Sequence, residues 1–175
     1  ANFGADYSGA GGSNKDYDTI KVSPDDGYTI YATDGTMDEW TKTVNASAAI
    51  AATGLSQADR FNLYMKIQGL NPDGTRNPSY PVYIDVDNLI DYMMIAFYGG
   101  NLDAPISNFL SNTSPNNWFG TRNRNGTTGW IFMAHDSEHT LLNVNENRLG
   151  PYNTPALNKT NPQWINQQLM LVDEF

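Results

Sequence analysis

The sequence contains no cysteine. Disulfides, thiolate metal sites and cysteine nucleophiles are therefore excluded. Basic residues are scarce: ten Lys and Arg stand against nineteen Asp and Glu, giving a formal charge of −9 and a pI of about 4.4. An acidic surface of this kind repels nucleic-acid phosphates and anionic lipid, so neither is an expected partner. No apolar run approaches the roughly 18–20 residues that a bilayer-spanning helix needs, and no basic-then-apolar leader opens the chain, so membrane insertion is not expected. Histidine occurs only as His135 and His139. They stand at i, i+4 with no third ligand of suitable type nearby, which weighs against zinc.

What is present is enough for one domain. The 175 residues are 39% hydrophobic, within the usual size of a single unit with its own core. A cysteine-free chain rich in Asn, Gly, Thr and Tyr leans toward bacterial secreted proteins. It starts at Ala1 rather than Met, which reads as an excised piece or a mature product.

Local patterns predict the elements. Residues 1–14 are Gly, Ser and Ala with scattered aromatics, a loop or incoming linker. Asp16–Val22 alternates as a strand, closed by the turn residues Ser23-Pro24-Asp25-Asp26-Gly27, and Tyr28–Tyr31 is a second short strand. Thr36 suits a helix N-cap with Asp38 and Glu39 in the first turn, the helix running to a stop at Gly54. Ser56 and Asp59 form a capping box for a helix near 57–68. Over 86–98, Leu89, Ile90, Met93, Met94 and Phe97 recur at core spacing, with Asp85 or Asp87 as cap and Gly99-Gly100 as stop. A hairpin follows, turning at Asn125-Gly126 into a buried strand Trp130–Met133. Asn161 and Pro162 open a last helix, with Trp164, Ile165, Leu169 and Met170 inward, still running at Phe175.

The chemistry-bearing residues lie between the 86–98 helix and the end of the hairpin. Phosphoryl transfer to a hydroxyl needs one carboxylate to orient the hydroxyl and accept its proton. A side-chain carbonyl and a second carboxylate then hold Mg2+ against the phosphates. Protein kinases supply these groups as D-x-x-x-x-N followed by an Asp after a β-hairpin. Asp103, Asn108 and Asp136 reproduce that order and spacing, and Glu138 adds a further carboxylate. On the pattern alone a second reading stays open: Asp103 and Asn108 cap a turn around Pro105, and Asp136 bonds backbone amides at a strand end. Arg122 and Arg124 either reach a nucleotide or substrate phosphate or neutralise neighbouring carboxylates. Asp85, Asp87, Asn88 and Asp91 lack the spacing of a calcium loop and read as helix caps. Trp118, Phe119 and Trp130 read as aromatic core before they read as a stacking platform for sugars or bases.

Several stretches, in order, resemble the CotH (spore-coat protein H) kinase-like family. They are Gly11-Gly12 with Asp16-Tyr17-Asp18, Asp34-Gly35 with Trp40, and Asp85-Val86-Asp87-Asn88-Leu89-Ile90-Asp91-Tyr92. Gly100-Asn101-Leu102-Asp103, Asn116-Asn117-Trp118-Phe119 and His135-Asp136-Ser137-Glu138-His139-Thr140 continue the series, and Asn161-Pro162-Gln163-Trp164-Ile165 through Asp173-Glu174-Phe175 closes it. The resemblance implies a helix-dominated α+β fold, atypical protein-kinase-like and similar to a C-terminal lobe with a short β-hairpin. It also implies ATP with Mg2+ (or Mn2+), and Ser/Thr phosphorylation of a coat or surface protein outside the cytoplasm, secreted or at the cell or spore surface. By this resemblance Asp103 is the catalytic base and Asp136 and Asn108 are metal ligands; the residue pattern adds Glu138 as a further metal ligand and Asn108, Arg122 and Arg124 as candidates for the nucleotide. Residues 1–175 then form a single partial domain, lacking the N-terminal lobe elements that bring a basic residue to the phosphates and the far C-terminal end. The rival expectation is a non-catalytic surface or coat binding module of the same fold, with carbohydrate binding as one form of it.

Overall fold

The computed structural model describes residues 16–175, so the expected linker at 1–14 lies outside the described residues. Among the described residues, four strands and four α-helices form: β1 (Tyr17–Val22), β2 (Tyr31–Asp34), α1 (Asp38–Ile50), α2 (Gln57–Ile67), α3 (Val86–Tyr98), β3 (Trp118–Asn123), β4 (Ile131–Ala134) and α4 (Pro162–Leu169). The class is α+β with helix in excess of strand. The hairpin β3–β4 is the expected one, but it is half of a larger sheet. β1 pairs antiparallel with β3 from Tyr17↔Asn123 to Val22↔Trp118, and β2 adds to β1, giving the order β2-β1-β3-β4.

Alternation along the strands sends Ile20, Val22, Trp118 and Phe132 to the side where the helices pack. Trp40 of α1 meets Trp118, Trp130 and Phe132 with ring centroids 5.3, 5.8 and 6.3 Å away. Trp118 and Trp130 have no exposed surface. They are core, and no stacking platform is available from them. Gly129 is required by a close approach: a Cβ there would lie 2.3 Å from the backbone nitrogen of Ile84. That contact lets the lead-in to α3 bridge the hairpin, with Trp130 N–H donating to Tyr83 O and Asp85 N–H to Trp130 O. Asn88 completes the clamp, accepting from Phe132 N–H at 2.6 Å and donating to Phe132 O at 3.2 Å.

Several expectations shift. β2 begins at Tyr31, three residues beyond the predicted start. α1 begins at Asp38 with Met37 at the cap, one residue beyond the expected Thr36, whose hydroxyl still accepts from Asp38 N–H at 3.3 Å. It ends at Ile50 rather than near Gly54, where the Arg60 guanidinium takes up the Ile50 and Ala52 carbonyls. α4 stops at Leu169, leaving Met170 exposed rather than inward. α3 has the predicted bounds and the Asp85 cap, which accepts from Asn88 N–H, but its buried face is Val86, Leu89, Tyr92, Met93 and Ala96. Ile90 and Met94 face outward. The run Met93–Tyr98 is apolar on every side, so periodicity could not choose the inward face. No described helix is long and apolar enough to cross a membrane.

Candidate functional site

Gly100, at φ +57°, ends α3 and turns the chain into a loop closed by side chains. Asn101 is buried, and its Oδ1 accepts from Asp103 N–H at 2.9 Å, an Asx turn that aims the next carboxylate. Asp103 is half-buried. One of its oxygens accepts from the buried Ser107 hydroxyl and the other from Asn117 Nδ2 at 2.9 Å. Asn108 N–H returns to Leu102 O at 2.7 Å, while the Asn108 side chain lies at an exposed position. Ser107, Asn112 and Asn116 N–H groups close the loop onto Ser114, Ser107 and Pro105 carbonyls.

The second segment leaves β4 at Ala134, opposite Trp118 in the register. Asp136 and Glu138 are exposed, and Asp136 holds φ +55°. Two backbone bonds stitch this segment to the first, Leu102 N–H to His139 O at 3.1 Å and Leu141 N–H to Gly99 O at 2.6 Å. His139 stacks edgewise on Phe109 at 4.8 Å, and His135 on Phe119 at 5.0 Å. The fold thus joins the 99–110 loop, with Asp103 and Asn108, to the 135–142 loop, with Asp136 and Glu138. Glu138 has His139 Nε2 as a neighbour at 3.6 Å.

Seven described non-glycine residues have positive φ; Asp136 and Leu141 lie in the 135–142 loop, and Ser111, Asn112 and Asn117 lie in the stretch that leads from the 99–110 loop into β3. Left-handed backbone costs an L-residue on the order of 1–2 kcal/mol, less for Asn and Asp, and such outliers concentrate at functional sites.

Arg122 and Arg124 stand elsewhere. Four and six residues beyond Trp118, they lie roughly 14–20 Å along the strand direction from the site end of β3. Arg122 pairs with Glu39 at 3.6 Å and Arg124 with Asp18 at 3.7 Å. Of their two readings, neutralising carboxylates is the one with contacts. Asp85 and Asn88 are likewise engaged, as cap and clamp, and Glu39 bonds Lys42 as well.

Three residues that the sequence reading missed hold the site together. Ser107 and Asn117 fix Asp103. Arg148, 3% exposed, donates to Ile106 O and to Asn112 Oδ1, has Glu146 at 3.5 Å, and lies over the Tyr152 ring. Its own carbonyl accepts from Gln163 of α4. The available signals were the Asn116-Asn117 pair before an aromatic strand and a lone Arg in the cation-free stretch after Arg124.

As a donor set, Asn108, Asp136 and Glu138 are exposed oxygens of the hard type that suits Mg2+ or Mn2+. Among the described residues no three His, Cys, Asp or Glu side chains gather as a ready ligand cluster. Mg2+ asks for less than that, one or two carboxylates with water and substrate phosphates. The fit to a triphosphate is poorer: no Lys or Arg occurs in 77–121 or 125–147.

Compared with protein-family models, curated proteins and solved structures, the chain matches none.

Proposed function

We propose that this chain carries the metal-facing half of a CotH-type, kinase-like site that phosphorylates Ser or Thr of another protein outside the cytoplasm. The observation that carries the reading is the fixed carboxylate of Asp103, held by Ser107 and Asn117 in a loop bonded to the one that bears Asp136 and Glu138. In the proposed chemistry Asp103 orients the acceptor hydroxyl and takes its proton as that oxygen bonds to the terminal phosphorus of ATP and the bond from that phosphorus to the departing ADP breaks. Two donors on Asp103 leave further lone-pair positions free to accept that hydroxyl. Asn108, Asp136 and Glu138 are the groups that would hold Mg2+ or Mn2+, which when bound offsets the negative charge of ATP phosphates. Like-charged carboxylates on adjoining loops gain from sharing a cation. The basic contact to the phosphates comes from outside these segments, since Arg122 and Arg124 are engaged at the other end of β3. The isolated chain is therefore expected to bind a divalent ion weakly and to turn over little or no ATP.

Titrating Mn2+ into the chain and following the free-ion electron paramagnetic resonance signal tests the assignment. Weak binding that Asp136→Ala abolishes is the expected result. Equal binding by both proteins removes Asp136 from the metal site. Robust ATP turnover abolished by Asp103→Ala would overturn the expectation that half of the site is missing. One observation favours a second reading, a non-catalytic binding module of the same fold: both Asp103 oxygens already accept bonds from the protein, as a purely loop-forming residue requires.

A further inference from the structure

The surface formed by α3 and the loop after β4 is apolar at its centre and acidic at its margins. Along α3, Asp91, Met94, Ile95 and Tyr98 recur on one helical stripe, with Met94, Ile95 and Tyr98 58%, 55% and 86% exposed. Two depressions adjoin the stripe. One, of about 330 Å³, lies between α3 and β4 and includes Asp91, Ile95 and Met133. The other, of about 300 Å³, opens beside Tyr98 and is walled by Leu141, Val144 and Glu146.

Leu141 and Val144 are 75% and 100% exposed, and Leu141 is held at φ +57° by its bond to Gly99 O. A bulky residue in left-handed backbone is an outlier, and here it displays a leucine to water rather than burying it. Single exposed apolar residues are ordinary, but a contiguous set marks an interaction surface.

Charge indicates what covers it. Between Arg76 and Arg148 the chain has seven carboxylates and two cations, both cations being the paired Arg122 and Arg124; Arg148 itself has Glu146 at 3.5 Å, which leaves Asp91 as the exposed carboxylate of the stripe. We propose that this face docks a cationic amphipathic helix of another protein. Apolar side chains of that helix enter the two depressions while its Lys or Arg residues meet Asp91. Isologous pairing of two copies would instead set this carboxylate against other acids, and an anionic membrane is repelled for the same reason. The inference is independent of the phosphoryl-transfer reading.

The test is fluorescence anisotropy of a labelled Leu/Lys amphipathic peptide of roughly 14 residues, about four helical turns. A Leu/Glu peptide of the same pattern is the control. The Leu/Lys peptide alone is expected to bind the full chain, about tenfold more weakly in the Met94→Ser/Tyr98→Ser double variant, and more weakly as salt rises. Asp91→Asn is expected to weaken it as well. Both Ser substitutions fall at exposed positions, and matching thermal unfolding shows that the fold is kept. Undiminished binding by the Ser double variant would reduce the effect to bulk charge and overturn the proposal, as would equal binding of the Leu/Glu peptide. A concentration-dependent dimer in sedimentation that Tyr98→Ser abolishes would give the face to a second copy instead.

Discussion

At one end of β3 the protein pairs its charges, and at the other it leaves carboxylates without cations. Arg122 sits opposite Asp18 in the β1–β3 register and reaches Glu39, while Arg124 reaches Asp18, which is 1% exposed and also accepts from Thr36 N–H. At the Trp118 end, Asp103 is held by an amide and a hydroxyl, and Asp136 and Glu138 face water. The difference follows from burial. An uncompensated charge out of water is expensive, so the buried Asp18 carboxylate has a cation and a backbone N–H beside it. Exposed acids tolerate the lack of a partner, and that leaves them open to an added one.

The largest effect should come from breaking the paired end. Asp18→Ala leaves Arg124 and Thr36 N–H without their acceptor and is expected to cost about 2–4 kcal/mol, against roughly 0.5 kcal/mol or less for Asp136→Ala. Urea midpoints of the two variants check this, and equal losses would erase the contrast. A smaller effect of opposite sign sharpens it. Asp136→Gly relieves a left-handed backbone and should raise stability by about 0.5–1 kcal/mol while removing the proposed Mn2+ binding, a trade of stability against that proposed role. A lowered midpoint would show that the Asp136 side chain contributes to the fold.

The smallest effect lies away from both ends. The Ser56 hydroxyl and N–H donate to Asp59, in that order of importance, and hold its carboxyl below the usual carboxylate range. A lowered folded value means the stabilisation is present above the unfolded pKa of about 4 and is lost as pH falls through the lower folded value. Ser56→Ala should flatten that part of an acid titration of stability, and an unchanged profile would remove the capping box as its source.

What was legible in the sequence was local. Ser56 with Asp59, Asp85, and Asn161 with Pro162 each cap a helix through a bond to the third residue on, so spacing alone reveals them. The hairpin was legible through Asn125-Gly126 between aromatic runs. The pairing of β1 with β3 joins residues about a hundred positions apart and leaves no short-range trace. The inward face of α3 was hidden because Met93–Tyr98 carries no polar residue to mark the outside. For the candidate site, Asp103, Asn108, Asp136 and Glu138 could be named from the sequence because their residue types and order carry meaning. Ser107, Asn117 and Arg148 escaped because their roles are defined only by what they touch.

The clamp of Asn88 on Phe132 gives the molecule an internal reporter. Phe132 N–H is bonded to a side chain of α3, so its isotope exchange is timed by separation of helix from sheet. Exchange at that single amide, measured beside that of Thr121, which pairs with Ile131 in the hairpin, therefore distinguishes lifting of α3 from unzipping of the hairpin. A helper bound along the outer stripe of the helix would slow the first clock and leave the second running at its own rate.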